Sequence, residues 1–280
     1  MTIAELHGKL APERPNGVHE QLEDLLTSDV FGTMKYAGWE HGFLDWLLQA
    51  EPAPVEPAPP PISTYLAAGR ISYVDYAFWP TLKNKREPDV ALLFRIEERY
   101  PVVVLVEAKY MSGTSDWEGE EDADPWALTG NQIADQVRGL HQMAAEEVLT
   151  WFESTPTWQE MNRRQGIQKI HLFLTMHTRM PARQYELSQQ KLPTPWPVPA
   201  YWLSWTSLPE MLQSHLDQSD RHLAALIGDL HKLLRRKRLV PFRGFSLKPW
   251  QRASNESSFW QETWWSFGPP KLGPYERFWT

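Results

Sequence analysis

A mixed α/β fold with an antiparallel hairpin at the centre of its sheet is what the sequence predicts, and three observations carry it. Residues 89–96 (DVALLFRI) and 101–110 (PVVVLVEAKY) are almost continuous apolar runs of strand length, four residues apart. Runs of that kind belong in a sheet covered on both faces. Residues 17–31 place Val18, Leu22, Leu25, Leu26 and Val30 at helical spacing. Residues 170–178 (IHLFLTMHT) alternate instead, with Ile170, Leu172, Leu174 and Met176 on one face and His171, Phe173, Thr175 and His177 on the other.

In chain order, the first helix takes Asn16 as its N-cap. Residues 51–61 (EPAPVEPAPPP) carry six prolines and read as an extended, semi-rigid connector outside any packed core. Residues 71–79 are rich in Tyr, Val, Phe and Trp and form the first strand. The two apolar runs follow as a hairpin, turning at residues 97–100. After an acidic loop at 116–124 comes a helix from about residue 130 to 152, then the alternating strand. Proline-rich sequence at 193–199 leads to YWLSWTSL. A helix near 220–236 then lines up Leu223, Leu226, Ile227, Leu230, Leu233 and Leu234 on one stripe. From Trp250 onward the chain is aromatic without periodicity. The division expected is a core at residues 1–180 and, packed on it, a C-terminal extension at 181–280.

Composition narrows the function. The chain has 280 residues and no cysteine, which excludes disulfide frameworks, thiolate metal sites and cysteine nucleophiles. The opening residues lack a signal-peptide pattern, and no apolar run approaches the 18 residues of a membrane helix, so a cytoplasmic chain without membrane contact is expected. Its 15 tryptophans call for aromatic packing, an interface or stacking surfaces. The net charge of −7 conceals an asymmetry: residues 1–125 hold 10 Lys/Arg against 22 Asp/Glu, whereas residues 221–252 hold nine basic residues and one acidic. That basic stretch suits a polyanion, or simply complements the dipole at a helix C-terminus.

The hairpin carries the chemistry. Pro88-Asp89 opens it and Glu107-Ala108-Lys109 closes it. Glu-x-Lys alone arises by chance about once in 300 residues at ordinary usage, so its place after five apolar residues gives it weight. Residues two apart in a strand share a face, so Glu107 and Lys109 lie side by side. Setting Glu97 opposite Pro101 puts Asp89 opposite Lys109, and any even shift of register keeps all three on one face. Such a group is either an exposed charge cluster at a strand end or a site for Mg²⁺ or Mn²⁺, which favour hard oxygen ligands.

These residues resemble the motif of the PD-(D/E)XK nuclease superfamily. The resemblance spans roughly residues 17–178, and nothing in it covers 180–280. It implies a restriction-endonuclease-like αβββαβ core with a mixed sheet and, beyond it, a helical and aromatic C-terminal extension. It further implies metal-dependent phosphodiester hydrolysis, with DNA favoured, in restriction, defence against foreign DNA or repair. Asp89 and Glu107, with the Ala108 carbonyl, would hold Mg²⁺ or Mn²⁺, and Lys109 would position water or offset charge in the transition state. The family's first helix often adds an acidic residue. Glu23, in Glu23-Asp24-Leu25-Leu26-Thr27, borders the apolar stripe and fits that place ahead of Glu20. A glutamine often follows the third strand. Gln132 fits it and would orient Lys109 or a phosphate, with Gln136 one turn on along the same face.

Lys232, Arg235, Arg236, Lys237, Arg238 and Arg243, with Lys248 and Arg252, would then follow a phosphate backbone beside Trp250. A protein partner or a homo-oligomer is also compatible with the aromatic tail. The alternative is a catalytically silent subunit that keeps the nuclease fold and binds nucleic acid or a protein.

Overall fold

The computed structural model describes residues 18–110, 129–152, 166–192, 194–216 and 220–240, with only the backbone given for 18–22. The predicted Asn16 cap, the acidic loop 116–124, Arg243, Lys248, Trp250 and Arg252 lie outside the described residues, as does the side chain of Glu20.

Among the described residues the chain runs α1 (Val18–Ala37), α2 (Phe43–Leu47), β1 (Glu51–Pro52), α3 (Ser63–Leu66), β2 (Ile71–Phe78), β3 (Val90–Ile96) and β4 (Val102–Lys109). It continues with α4 (Gln132–Gln142), α5 (Ala145–Leu149), β5 (Gln168–Thr175), α6 (Ala182–Gln189), β6 (Ala200–Ser204), α7 (Leu208–Leu216) and α8 (Arg221–Arg236). The six strands form one open mixed sheet in the order β1-β6-β5-β4-β3-β2. The β2-β3-β4 meander is antiparallel, while β4, β5 and β6 run parallel to one another. Sequence order and sheet order thus agree on an α/β fold with the hairpin inside the sheet.

Alternation decides what covers each face. Val90, Leu92, Phe94, Val102, Val104, Val106, Ile170, Leu172 and Leu174 share a core with α1, α2, α7 and α8. Ala91, Leu93, Val103, Leu105 and Phe173 face the opposite layer, built from Ile133, Val137 and Leu140 of α4 together with α5 and Tyr185 of α6. Burial on both sides explains why β3 and β4 read as unbroken apolar runs. On the first face Trp46 and Trp205 stack with ring centroids 5.7 Å apart, and Phe31 lies 6.2 Å from each. Trp46, Trp79, Trp196, Trp202 and Trp205 are all buried, so these tryptophans pack the interior.

Four expectations change. The proline-rich 51–61 stretch joins the packed structure. Glu51 and Pro52 pair antiparallel with β6, Ala53 and Val55 are buried, and the Tyr201 hydroxyl donates to the Pro60 carbonyl at 2.6 Å. Proline lacks only the N–H, so an edge position costs it nothing and its carbonyl still accepts. The hairpin register also differs by two residues: Val90 faces Val106, which brings Asp89 level with Glu107 instead of Lys109. The turn is tight, with Arg99 N–H bonded to the Ile96 carbonyl and Glu98 at φ 59°. The shift is even, so the faces are unchanged. The helix expected over 130–152 is two helices, α4 and α5, interrupted after Gln142. Strand β5 stops at Thr175, two residues before His177, and the sheet continues past residue 180 because β6 adds to β5.

Candidate metal centre

Four elements meet at one end of the hairpin. Asp89 immediately precedes β3, and its backbone N–H bonds to the Val106 carbonyl at 3.2 Å. Its side-chain Oδ2 accepts from the Ala108 N–H at 2.8 Å. Glu107 and Lys109 continue the odd-numbered face of β4, beyond Val103 and Leu105, where the apolar layer ends. Glu23 arrives from the first helix. Lys109 Nζ donates to Glu23 Oε1 at 2.8 Å and the Tyr110 N–H to Glu23 Oε2 at 3.0 Å. Lys109 Nζ also lies 2.7 Å from Glu107 Oε1. Glu23, Asp89 and Glu107 are all buried, and one carboxylate oxygen from each falls within 4.8 Å of the others.

The far side of Glu107 is held by α4. Asn131 caps that helix, its side chain accepting from the Ala134 N–H at 2.9 Å, and this sets Gln132 in the first turn. Gln132 Nε2 donates to Glu107 Oε1 at 2.5 Å, and Gln136 Nε2 donates to Oε2. The N-terminal turn of a helix also favours a negative charge beside it. Behind Gln136, its Oε1 lies 3.0 Å from His171 Nε2 on β5.

Three carboxylates and one ammonium in a buried space create strong mutual shifts. Burial raises the Asp89 pKa well above its ordinary value, Glu107 raises it further, and Lys109 and the Ala108 N–H only partly offset this. Burial opposes the charge on Lys109, yet Glu107, Glu23 and Asp89 outweigh it and hold its pKa above the usual lysine value. Lys109 is therefore an ammonium at neutral pH, suited to stabilising negative charge and not to accepting a proton. The donor set is all oxygen, carries surplus negative charge and leaves one carboxyl reluctant to ionise. Such a set could hold a metal ion.

Glu23, Asp89, Glu107, Lys109 and Gln132 are thus brought together, all of them readable in the sequence. Gln136 and His171 complete the arrangement. Gln136 is visible in the sequence as a partner of Gln132 on one helix face. His171 is visible on the face of β5 that meets α4, although nothing in the sequence points it at a glutamine. His177 is exposed and lies beyond the end of β5.

Of the basic residues, Arg235, Arg236 and Arg238 are exposed, and exposed Lys232 pairs with Asp229 at 2.9 Å. Lys237 is the anchor. Its Nζ sits 5.1 Å from the Tyr110 ring centroid, and its carbonyl accepts from the Tyr110 hydroxyl at 2.7 Å. The basic end of α8 is therefore fixed to the residue that follows Lys109.

Comparison of the chain with protein-family models, with curated proteins and with solved structures found no match in any of the three. What is established is a mixed α/β sheet with a buried acidic triad at the end of its central hairpin. No helix among the described residues is long and apolar enough to cross a membrane.

Proposed function

We propose that this chain is a divalent-metal-dependent nuclease of the PD-(D/E)XK type that hydrolyses phosphodiester bonds, with DNA the favoured substrate. The observation that carries the reading is the convergence of Glu23, Asp89, Glu107 and Lys109 at one sheet end, where four separate sequence positions meet in one buried space. An accidental Asp…Glu-x-Lys would have no reason to recruit a fourth charged residue from the first helix.

Glu23, Asp89 and Glu107 would hold the cation. When bound, Mg²⁺ or Mn²⁺ supplies neutralisation of the phosphate oxygens and activation of water for in-line attack. Lys109, fixed between two carboxylates, offers its ammonium to the charge that builds on the phosphoryl oxygens. Gln132 and Gln136 each donate to one Glu107 oxygen and so hold that carboxylate's plane. Arg235, Arg236 and Arg238, at the end of α8 that Lys237 ties to Tyr110, would supply cations for the adjoining phosphates.

Incubation of circular and linear DNA with Mg²⁺ or Mn²⁺ tests the proposal. Wild-type protein is expected to nick or linearise circles, and Asp89→Ala and Lys109→Ala to lose about two to four orders of magnitude in rate. Cleavage unchanged in both variants would overturn the assignment. Salt-sensitive DNA binding without cleavage in either metal would favour a binding subunit instead.

A further inference from the structure

We propose that His171 is a positioning residue that fixes the orientation of Glu107 through Gln136. The inference rests on the metal-centre reading above and extends it to three side chains on β4, α4 and β5.

The argument follows from which atoms can donate. An ionised carboxylate only accepts, so Gln136 must turn its NH₂ towards Glu107 Oε2. Its Oε1 then points the other way, where it meets His171 Nε2 at 3.0 Å. A carbonyl oxygen also only accepts, so the imidazole proton must sit on Nε2. The ring's Nδ1 is left as a bare acceptor. It is buried and finds no hydrogen-bond partner among the described residues. Burial alone drives the ring's pKa down to about 3, so the imidazole is neutral. The carboxylate at one end thus dictates the tautomer at the other.

Packing alone does not call for a histidine at this position. His171 faces the apolar layer containing Leu105 and Phe173, where an aliphatic side chain would pack without burying a polar atom. Leaving Nδ1 buried and unsatisfied is unfavourable, and the bond from Nε2 to Gln136 offsets part of that cost. Without that bond Oε1 loses the donor that holds it, the contact with Glu107 alone restrains the amide, and rotation by half a turn becomes less costly. In the rotated amide oxygen faces oxygen, and the carboxylate leaves the position it holds beside Asp89 and Glu23.

The test uses the full chain and two readouts. Long-range ¹H–¹⁵N correlation of the imidazole nitrogens, assigned by the signal lost in His171→Gln, is expected to give a neutral Nε2–H tautomer from pH 5 to 8. A protonated ring or an Nδ1–H tautomer in that range would overturn the proposal. Mn²⁺ titration followed by electron paramagnetic resonance supplies the second readout. His171→Leu is expected to weaken Mn²⁺ binding roughly 10- to 100-fold. His171→Gln, whose amide restores a donor at similar reach, should stay within a few-fold of wild type. Equal Mn²⁺ affinity in wild type and a folded His171→Leu would overturn the positioning role. A wild-type protein that bound no Mn²⁺ would overturn the metal-centre reading itself, and the tautomer would then decide the hydrogen-bond chain alone.

Discussion

The charge balance of the cluster makes Asp89 and Lys109 opposites in their effect on folding. Asp89 adds a third carboxylate to a buried space, and its raised pKa means that the folded chain binds a proton which the unfolded chain releases near pH 3.8. The stability linked to that proton is present at low pH and is lost as pH rises through the folded pKa. An asparagine in its place would stay neutral throughout and could still accept the Ala108 N–H. Metal-free Asp89→Asn is therefore expected to be more stable than wild type by about 1–3 kcal/mol at pH 8, with an advantage that shrinks towards pH 4. Lys109→Met removes the ammonium bonded to both Glu23 and Glu107, and should cost about 3–5 kcal/mol. Urea unfolding of both variants with chelator present, repeated at pH 4, 6 and 8, checks the two signs. Equal destabilisation by both would mean that the carboxylates do not repel one another. At this scale the sequence is legible where polarity breaks a pattern: Glu23 on the edge of an apolar stripe, and Glu107 after a run of valines. It is silent where the partner is another neutral polar group, because a glutamine on a helix and a histidine on a strand have no spacing in common.

Elements hold the site through their contacts as well as their residues. The β2–β3 loop, which delivers Asp89, is tied to α4, which delivers Gln132 and Gln136. Asn84 Nδ2 donates to the Asp135 carbonyl at 2.7 Å, and Arg86 donates to Asp135 Oδ2 through Nε at 3.2 Å and Nη2 at 2.8 Å. Gly139 lets the two elements approach. A Cβ there would lie 2.9 Å from Asn84 Oδ1 and 3.1 Å from its Cγ, with that amide already committed. Alanine would ordinarily gain about 1 kcal/mol inside a helix. Here Gly139→Ala is expected to reverse the sign and cost about 1–3 kcal/mol by displacing Asn84. Thermal denaturation of the variant reads this directly, and a rise in melting temperature would mean that Asn84 moves aside freely. The strands and long helices are evident from periodicity, since that signal is local. The hairpin register comes out two residues off because turn length alone does not set which pair closes the ladder. The edge strand at Glu51–Pro52 is hidden because proline content reports what a backbone cannot donate, and an edge needs no donation.

Across the whole molecule the net charge of −7 and the proposed polyanion substrate pull in opposite directions, and location resolves them. An acidic protein repels nucleic acid, but salt screens that repulsion beyond the Debye length, about 8–10 Å at physiological ionic strength. Closer in, only nearby charges count. The basic end of α8 is anchored to the sheet: Asp220 caps the helix start, Ile227, Leu230 and Leu234 are buried in the core, and Tyr110 fastens the last turn through Lys237. Arg235 and Arg236 project from that turn as exposed cations, so they can meet phosphates without the helix moving. If they do, each should contribute about one released counterion. The slope of log affinity against log salt is then expected to fall by about 1 for Arg235→Ala and by about 2 for the double variant with Arg236→Ala. Fluorescence anisotropy with duplex DNA, in Ca²⁺ to separate binding from cleavage, gives those slopes. Because neither side chain touches the acidic triad, Mn²⁺ affinity should be unchanged in both variants. A slope equal to wild type would place the phosphate contacts elsewhere. A changed slope accompanied by lost Mn²⁺ affinity would instead mean that the helix end supports the centre through Tyr110.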